Sequence, residues 1–325
     1  DEWELQQIVG SVRVDNSRYA GPLKGPGWMW DDDPAPYNMP VTPLMIDFNV
    51  LTVELRPVGG DVAARLVPPA DYPPLRRVAA NGGEPVRVTR KPFEHEMLIV
   101  GGQPPEKRRE AQLTMHDPAQ WAAAVFARML ADRGVEITGV SGLNDAESGK
   151  VEEITHRGTA LAETLQWFHH KSENAVGEVL LHEIAIAEGR KRPDWSDGAE
   201  AISRWLIDEA GLEEGSFRLV DGSGLSRYNL ISADSAVRLL KYMHGRENFQ
   251  VFFESLPTSN VNGNPVVSAK GGSMTGVSTI SGYTKTDGGR LLAFSLLANG
   301  FIGDNKPVMN LRQKVWQELV QYSPK

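Results

Sequence analysis

The sequence predicts a layered α/β protein of the α+β kind, in which an antiparallel sheet and helices follow a mostly β N-terminal half. Three observations carry this expectation. Residues 1 to about 115 are rich in Pro, Gly and β-formers; from about Thr159 apolar residues recur at helical spacing; and the last 60 or so residues return to strand spacing before a closing helix.

In the first half, Ile8 to Val14 alternates, and Val50 to Leu55 and Val86 to Thr89 read as short strands. Gly59-Gly60, Asn81-Gly82-Gly83 and Gly101-Gly102 punctuate them. Asp117-Pro118 supplies a helix cap followed by the residue whose fixed φ and missing N–H suit the first helical position. Trp121, Val125, Met129 and Leu130 then form an apolar stripe that ends at Gly134, and Val135 to Val140 reads as a strand. From Thr159, Leu161, Leu165 and Phe168 share one helical face; after a break at Ser172-Glu173-Asn174, a second helix carries Val176, Val179, Leu180 and Ile184. Ser196-Asp197 is expected to cap a third helix ending near Gly211, and Ser232 a fourth with Ala236, Leu239, Leu240 and Met243 before Gly245. Val266 to Lys270, Gly276 to Tyr283 and Leu291 to Asn299 read as three strands joined by turns such as Asp287-Gly288-Gly289, and a helix from about Pro307 to Tyr322 closes the chain.

Bulk properties exclude several functions. The 325 residues, 41% hydrophobic and 23% charged, are enough for two domains with real cores. A net charge of -8 argues against a phosphate-backbone partner, so no nucleic acid is expected. No apolar stretch approaches the ~18 to 20 residues of a membrane span, and Asp1-Glu2-Trp3-Glu4 is no signal peptide, so any leader is expected to be gone already. The chain has no cysteine, which removes disulfides, thiolate catalysis and Cys-based zinc sites and fits an extracytoplasmic bacterial protein. His169 and His170 are adjacent, diverge by ~100° on a helix and cannot readily share a metal. Neither a Gly-x-Ser-x-Gly elbow nor a phosphate loop is present, and no metal or organic cofactor is expected.

Two peptides carry the chemistry. In Lys171-Ser172-Glu173-Asn174, a break between helices can turn the Ser172 hydroxyl and the Asn174 amide into one pocket, where the first shuttles a proton beside a lysine and the second holds a substrate carbonyl. Alone, the tripeptide reads as a helix cap. In Lys270-Gly271-Gly272-Ser273, an ammonium at the end of a strand pattern is followed by bare backbone, which lets an extended peptide pair with the strand edge and lets an amide point at a developing oxyanion. Alone, the glycines read as a plain hairpin turn.

In their order and spacing these peptides, with Asp221-Gly222-Ser223-Gly224-Leu225-Ser226-Arg227-Tyr228-Asn229-Leu230 between them and Ser281-Gly282-Tyr283 after them, resemble the peptidase S13 family. These are the D-Ala-D-Ala carboxypeptidases and endopeptidases, or class C low-molecular-mass penicillin-binding proteins. The resemblance extends to Gly27-Trp28, Asp31-Asp32-Asp33-Pro34 and Tyr37, which look like the family's inserted region. It implies a penicillin-binding transpeptidase/β-lactamase-like domain, with residues 1–152 an inserted accessory region, mostly β with one helix near 117–133, and 153–325 the C-terminal part of the catalytic domain. It implies a periplasmic or otherwise extracytoplasmic enzyme acting on peptidoglycan stem peptides and acylated by β-lactam antibiotics.

The implied roles follow position by position. Ser172 relays the proton to the leaving D-alanine, Asn174 bonds the substrate amide, Lys270 holds the terminal carboxylate, and the Ser273 N–H is one oxyanion donor. Gly271 and Gly272 belong to the same substrate-facing stretch, and Asp32, Tyr37, Leu225, Arg227 and Met274 fall where some members line a pocket for the stem-peptide side chain. An acidic and a basic group there would suit the zwitterionic end of diaminopimelate; the plainer readings are a solvated turn for Asp32 and a surface ion pair for Arg227.

The chain departs from the family pattern twice. Gly271 replaces the Thr of Lys-Thr-Gly, deleting a charge-assisted hydrogen bond worth ~1.5 to 3 kcal/mol. No serine is followed by lysine three positions on, so the activated nucleophile of a Ser-x-x-Lys is not among these residues. Three explanations stand: a missing N-terminal segment of the same protein supplies it; the chain is a non-catalytic homologue that binds cell-wall peptides; or Ser223 or Ser273 serves instead. The first is favoured, since an incomplete sheet exposes strand edges that a partner segment would cover, and the third is the weakest, because neither serine has a lysine at helical spacing.

Overall fold

The computed structural model describes residues 5–78, 83–139, 142–143, 154–261 and 264–323. The chain forms two compact units, one from Asp1–Glu152 and Glu178–Gly198, the other from Glu153–Gly177 and Ala199–Lys325. The boundary expected at 152/153 falls on residues outside the described set.

The first unit opens with two short strands, β1 (Gln7–Ile8) and β2 (Arg13–Val14), followed by β3 (Val50–Val58), β4 (Asp61–Val67), β5 (Leu75–Val78), β6 (Arg87–Thr89), β7 (Met97–Val100) and β8 (Arg109–Thr114). Helix α1 (Pro118–Ala131) and the short β9 (Glu136–Ile137) and β10 (Gly142–Leu143) complete this run. β3 is the centre of an antiparallel sheet in the order β4-β3-β8, and β7 is the centre of a mixed sheet, parallel to β5 and antiparallel to β6. Leu51, Val53 and Leu55 of β3 pack with Met97, Ile99, Trp121 and Val125, so the first half of the stripe expected on α1 joins helix to sheets, whereas Met129, expected on the same face, is exposed because the sheets do not reach the end of the helix. Asp117 caps α1 as expected, accepting from the Gln120 N–H at 3.0 Å. The strand expected over Ile8 to Val14 is instead two separate pieces, β1 pairing with β9 and β2 with β10, on either side of Gly10 at φ 147°. The strand expected to end at Val140 is observed as β9; Val140 itself lies outside the described residues.

A buried ion pair ties this unit's loops to its sheets. Arg90 Nη2 donates to both carboxylate oxygens of Asp33, at 2.6 and 2.7 Å, and Lys24 Nζ donates to Asp33 Oδ1 at 2.9 Å. The Arg90 and Asp33 side chains are 1% and 6% exposed, so the carboxylate is paired where an unpaired charge would be costly. Burial pushes the Asp33 carboxyl upward, but the Lys24 bond and the charges of Arg90 and Lys24 outweigh it and hold the group below its ordinary value.

In the second unit the helical stretch resolves into α2 (Leu161–Lys171), α3 (Asn174–Ala187) and α4 (Trp195–Asp208), the chain crossing between units within α3 and again within α4. After a hairpin of β11 (Phe217–Arg218) and β12 (Leu230–Ile231) come α5 (Ala233–His244) and α6 (Phe249–Ser255). A four-stranded antiparallel meander follows: β13 (Thr258–Val261), β14 (Asn264–Met274), β15 (Val277–Lys285) and β16 (Leu291–Asn299), closed by α7 (Lys306–Gln321). Period-two alternation divides its faces. Val267, Ala269, Ile280 and Phe294 pack against Trp316 of α7, whereas Tyr283 packs with Leu240 of α5 and with Leu256. Tyr283 Oη donates to Leu240 O at 2.7 Å, and burial pushes the phenol up to about 12.

Ser232 caps α5 as expected, accepting from the Ser235 N–H at 3.0 Å. The third helix is capped differently from expectation. Asp194, not Ser196-Asp197, takes the N–H groups of Ser196 and Asp197 on Oδ1 at 2.8 and 3.1 Å, while Asp197 Oδ2 accepts from the Asp194 N–H at 3.0 Å. This reciprocal capping box starts the helix at Trp195, whose indole donates to Pro22 O within the first unit. The glycines after Lys270 make no turn: β14 continues through Gly271, Gly272 and Ser273 to Met274, and the chain reverses at Thr275-Gly276, with Gly276 at φ 72°.

Candidate active site

Ser172 owes its position to a backbone choice. As α2 ends, Ser172 adopts the left-handed conformation, φ 54° and ψ 44°, and its N–H bonds Phe168 O at 2.8 Å. For a residue with a Cβ this costs roughly 1 kcal/mol. It interrupts the helix for two residues, after which α3 starts at Asn174, and it leaves the Ser172 side chain exposed. The hydroxyl accepts a hydrogen bond from Lys270 Nζ at 2.6 Å, although 98 positions separate the two residues. The ammonium also donates to Gly271 O at 2.8 Å. Lys270 is half-buried, and desolvation lowers its pKa, which makes proton transfer to a neighbour easier than from a surface lysine.

Among the described residues, the strand that carries Lys270 is paired on one side only at this point. β13 stops matching β14 at the Thr258 and Ser268 pair, and the last bond on that side runs from the Ala269 N–H to Pro257 O at 2.9 Å. From Lys270 to Met274 only β15 is alongside among the described residues, in register from Ser281 to Val277. Because the bonding direction alternates along a strand, Gly271 and Ser273 share Ala269's direction and turn their N–H and C=O groups to the unpaired edge. Gly272 and Ser273 are exposed.

The loop between β11 and β12 is built around Asp221, a buried carboxylate 1% exposed. It accepts from the Gly224 N–H at 2.9 Å, the Ser226 N–H at 2.6 Å and the Asn229 amide at 2.6 Å. Ser223 Oγ accepts from the Leu225 N–H at 3.1 Å, and Arg227 Nη1 donates to Thr275 O at 3.2 Å, tying the loop to the turn between β14 and β15. Against the first turn of α3 the fit is close: a Cβ on Gly177 would stand 2.7 Å from Gly222 O.

Thus the second unit joins Ser172 and Lys270 by a direct bond, places Asn174 two residues beyond Ser172, and carries Gly271, Gly272, Ser273 and Met274 onward along the same strand. Leu225 and Arg227 stand on the loop anchored to its turn. Asp32 and Tyr37 belong to the first unit, where Tyr37 Oη donates to Asp32 Oδ1 at 2.7 Å and both line an open hollow of about 340 Å³ with Asp31, Asp33 and Gln112. Two further groups, Asp221 and His169, were given no site role from the sequence. Asp221 could have been suspected from its place at the head of a Gly-rich turn. His169, whose partner lies 86 positions away, gave no local signal.

An antiparallel sheet with helices on both faces, and a Ser-x-Asn turn bonded to a lysine on one of its strands, define the class of penicillin-binding folds. The crystal structure of penicillin binding protein 4 (dacB) from Haemophilus influenzae superposes with a TM-score of 0.81, at 24% identity over 99% of this chain and 77% of that one. The same protein complexed with a novel β-lactam gives 0.76, at 21% identity over 99% and 76%. In sequence the chain is 23% identical over 347 residues to the D-alanyl-D-alanine carboxypeptidase DacB of Haemophilus influenzae, covering 98% of this chain and 72% of the relative. It is 28% identical over 335 residues to a D-alanyl-D-alanine carboxypeptidase of an Actinomadura species, covering 92% and 61%. The chain therefore spans about three fifths to seven tenths of these relatives' lengths. Residues 5–319 match the D-Ala-D-Ala carboxypeptidase 3 (S13) family, and the chain belongs to that family of peptidases.

Proposed function

We propose that the protein is a serine-type D-Ala-D-Ala carboxypeptidase and DD-endopeptidase that acts on peptidoglycan stem peptides in an extracytoplasmic compartment and is acylated by β-lactams. The observation that carries this reading is the 2.6 Å bond from Lys270 Nζ to Ser172 Oγ beside a strand edge with bare backbone. An extended peptide laid on that edge would meet the Gly271 and Ser273 backbone groups, its terminal carboxylate near the Lys270 ammonium and its amide near Asn174. When the serine of a Ser-x-x-Lys attacks the D-Ala-D-Ala carbonyl, its hydroxyl proton would pass to that lysine; the C–N bond breaks, the acyl group stays on the serine, and Ser172, re-protonated from Lys270, delivers a proton to the departing amine, after which water cleaves the ester, its proton returning to Lys270 while the serine regains its own. The Ser273 N–H would stabilise the oxyanion, a donor whose loss typically costs ~100 to 1000-fold in rate.

The nucleophile in this reading comes from a segment of the same protein outside these residues. Support comes from the sheet itself, where β16 has a partner on one side only among the described residues and would accept further strands. Ser223 and Ser273 serve less well, since the Lys270 ammonium is bonded to Ser172 and to Gly271 O and to neither of them. Asp32, Tyr37, Leu225, Arg227 and Met274 would line the side-chain subsite. The absence of Ser-x-x-Lys favours a second reading, a non-catalytic module that binds cell-wall peptide reversibly. Labelled penicillin with intact-mass measurement separates the two. Covalent labelling that falls strongly in S172A supports the enzyme, whereas muropeptide binding without labelling, in a preparation that includes any preceding segment, supports the binder.

A further inference from the structure

A half-buried imidazole stands one helical turn before Ser172 and has no part in the roles above. His169 lies in the last turn of α2, the helix that packs on α6. Its Nδ1 is 2.9 Å from Ser255 Oγ, and Ser255, only 2% exposed, donates its own hydroxyl proton to Phe252 O at 2.6 Å. A hydroxyl has one proton. With that proton committed to the carbonyl, Nδ1 must carry the hydrogen and donate it, so the neutral ring keeps its lone pair on Nε2. The ring meets Phe252 edge-on, with centroids 6.1 Å apart, and lies tilted beside Phe168 at 5.4 Å.

The Ser255 bond reaches the other half of the proton-relay pair. Ser255 is the last residue of α6, and two residues later Pro257 O accepts the N–H of Ala269, the neighbour of Lys270. His169 is three residues from Ser172 on one branch, and its hydrogen-bond partner leads within a few residues to Lys270 on the other. We propose that His169 is a positioning residue: bonded to Ser255, it sets the spacing of the Ser172 and Lys270 pair and makes the charge state of Lys270 respond to its own protonation. The charged and titratable groups bearing on the ring are Lys270 on β14 and His170 on its own helix; from α6 the neutral Ser255 and Phe252 face it. Burial first, and then the Lys270 charge, hold the ring below the ordinary histidine value, and by reciprocity a charged His169 disfavours the ammonium.

This deepens the proposed function, since it matters for turnover only if Ser172 and Lys270 relay a proton, but the coupling can be tested without any catalysis. The rate at which trinitrobenzenesulfonate modifies Lys270, mapped by peptide mass, should give a plot of log rate against pH with two parallel lines offset at the His169 midpoint. That midpoint and the Nδ1–H tautomer are read independently by nitrogen-15 imidazole resonances. In H169N, whose amide keeps a donor for Ser255 but cannot titrate, the offset should vanish and leave a single line; S255A should keep the offset while shifting the tautomer populations. An offset that persists in H169N, or an Nε2–H tautomer in the unaltered chain, overturns the proposal. If penicillin labelling fails, the function is refuted and this coupling is not. If labelling succeeds, the acid limb of its pH profile should move in H169N relative to the unaltered chain.

Discussion

Gly282 and Ala269 face each other across β15 and β14 with no space for a side chain on the glycine: a Cβ there would lie 2.5 Å from Ala269 Cα and 2.3 Å from Ser268 O. The adjoining pair is Ser281 and Lys270, so the close approach of these strands fixes the backbone from which the lysine projects. Gly282→Ala should lower stability by about 1 to 3 kcal/mol, the usual cost of forced overpacking. Because strand separation and lysine position move together, the proposed function adds that penicillin labelling, in a preparation that includes the segment carrying the nucleophile, should slow in the folded fraction as well. Denaturant unfolding beside labelling rates checks this, and an alanine variant as stable as the parent would show that the strands separate freely.

Gly271 has room that Gly282 lacks. A Cβ at 271 would meet Thr279 O at 3.5 Å, an ordinary contact. Gly271→Thr should therefore fold, gain several tenths of a kcal/mol from a stiffer unfolded chain, and supply a hydroxyl for the substrate carboxylate. On the proposed function, and in a preparation that includes the segment carrying the nucleophile, the expected gain in kcat/KM for acyl-D-Ala-D-Ala is about 10 to 100-fold, the equivalent of one charge-assisted hydrogen bond. Steady-state kinetics on parent and variant decide it; a variant with unchanged kcat/KM would mean the hydroxyl does not reach the carboxylate.

Arg227 donates to Thr275 O and is otherwise exposed. If it also reads the stem-peptide side chain, Arg227→Ala should weaken peptides ending in diaminopimelate more than plain acyl-D-Ala-D-Ala. Competition binding with the two peptides provides the comparison. Equal losses would assign Arg227 to loop anchoring alone.

The Asp33 and Arg90 pair gives the first unit an acid limit. Asp33 has a depressed folded-state pKa, so its contribution is present above its ordinary value of 3.8 and disappears as pH falls through the lower folded value. Asp33→Asn leaves the Arg90 guanidinium buried without its counter-charge and should cost about 3 to 5 kcal/mol at pH 7. The gap between parent and variant should narrow below pH 3.8. Chemical unfolding at pH 7 and in acid measures both effects.

Those features that depend on neighbours in sequence were legible from it. Asp117-Pro118 and Ser232 mark helix starts because the cap bonds only residues two or three positions on, and Ser172-Glu173-Asn174 marks the break between α2 and α3. Signals failed where distant contacts decide. Gly271-Gly272 reads locally as a turn, yet pairing with Ile280 and Thr279 holds it in a strand. Phe249–Ser255 is short and aromatic, which suits a strand as well as a helix, and packing against Tyr283 settles it as α6. At α4 two acidic residues compete for the cap, and the seating of Trp195 within the first unit favours Asp194. That Ser172 works beside a lysine was expected from chemistry, but that Lys270 bonds it directly, 98 positions away, could come only from coordinates.

Among the described residues the run of β14 from Lys270 to Met274 is paired on one side only, which limits what can dock there. Lys270 to Met274 extends over roughly 17 Å at ~3.3 Å per residue, and only a chain already stretched out, with its own amides free, can lie along it as an extra strand. Helical ends and folded termini would keep their amides engaged and be turned away. On the proposed function, selection by flexibility would thus precede any reading of side chains, sparing compact proteins in the same surroundings while admitting slack, loosely tethered peptides.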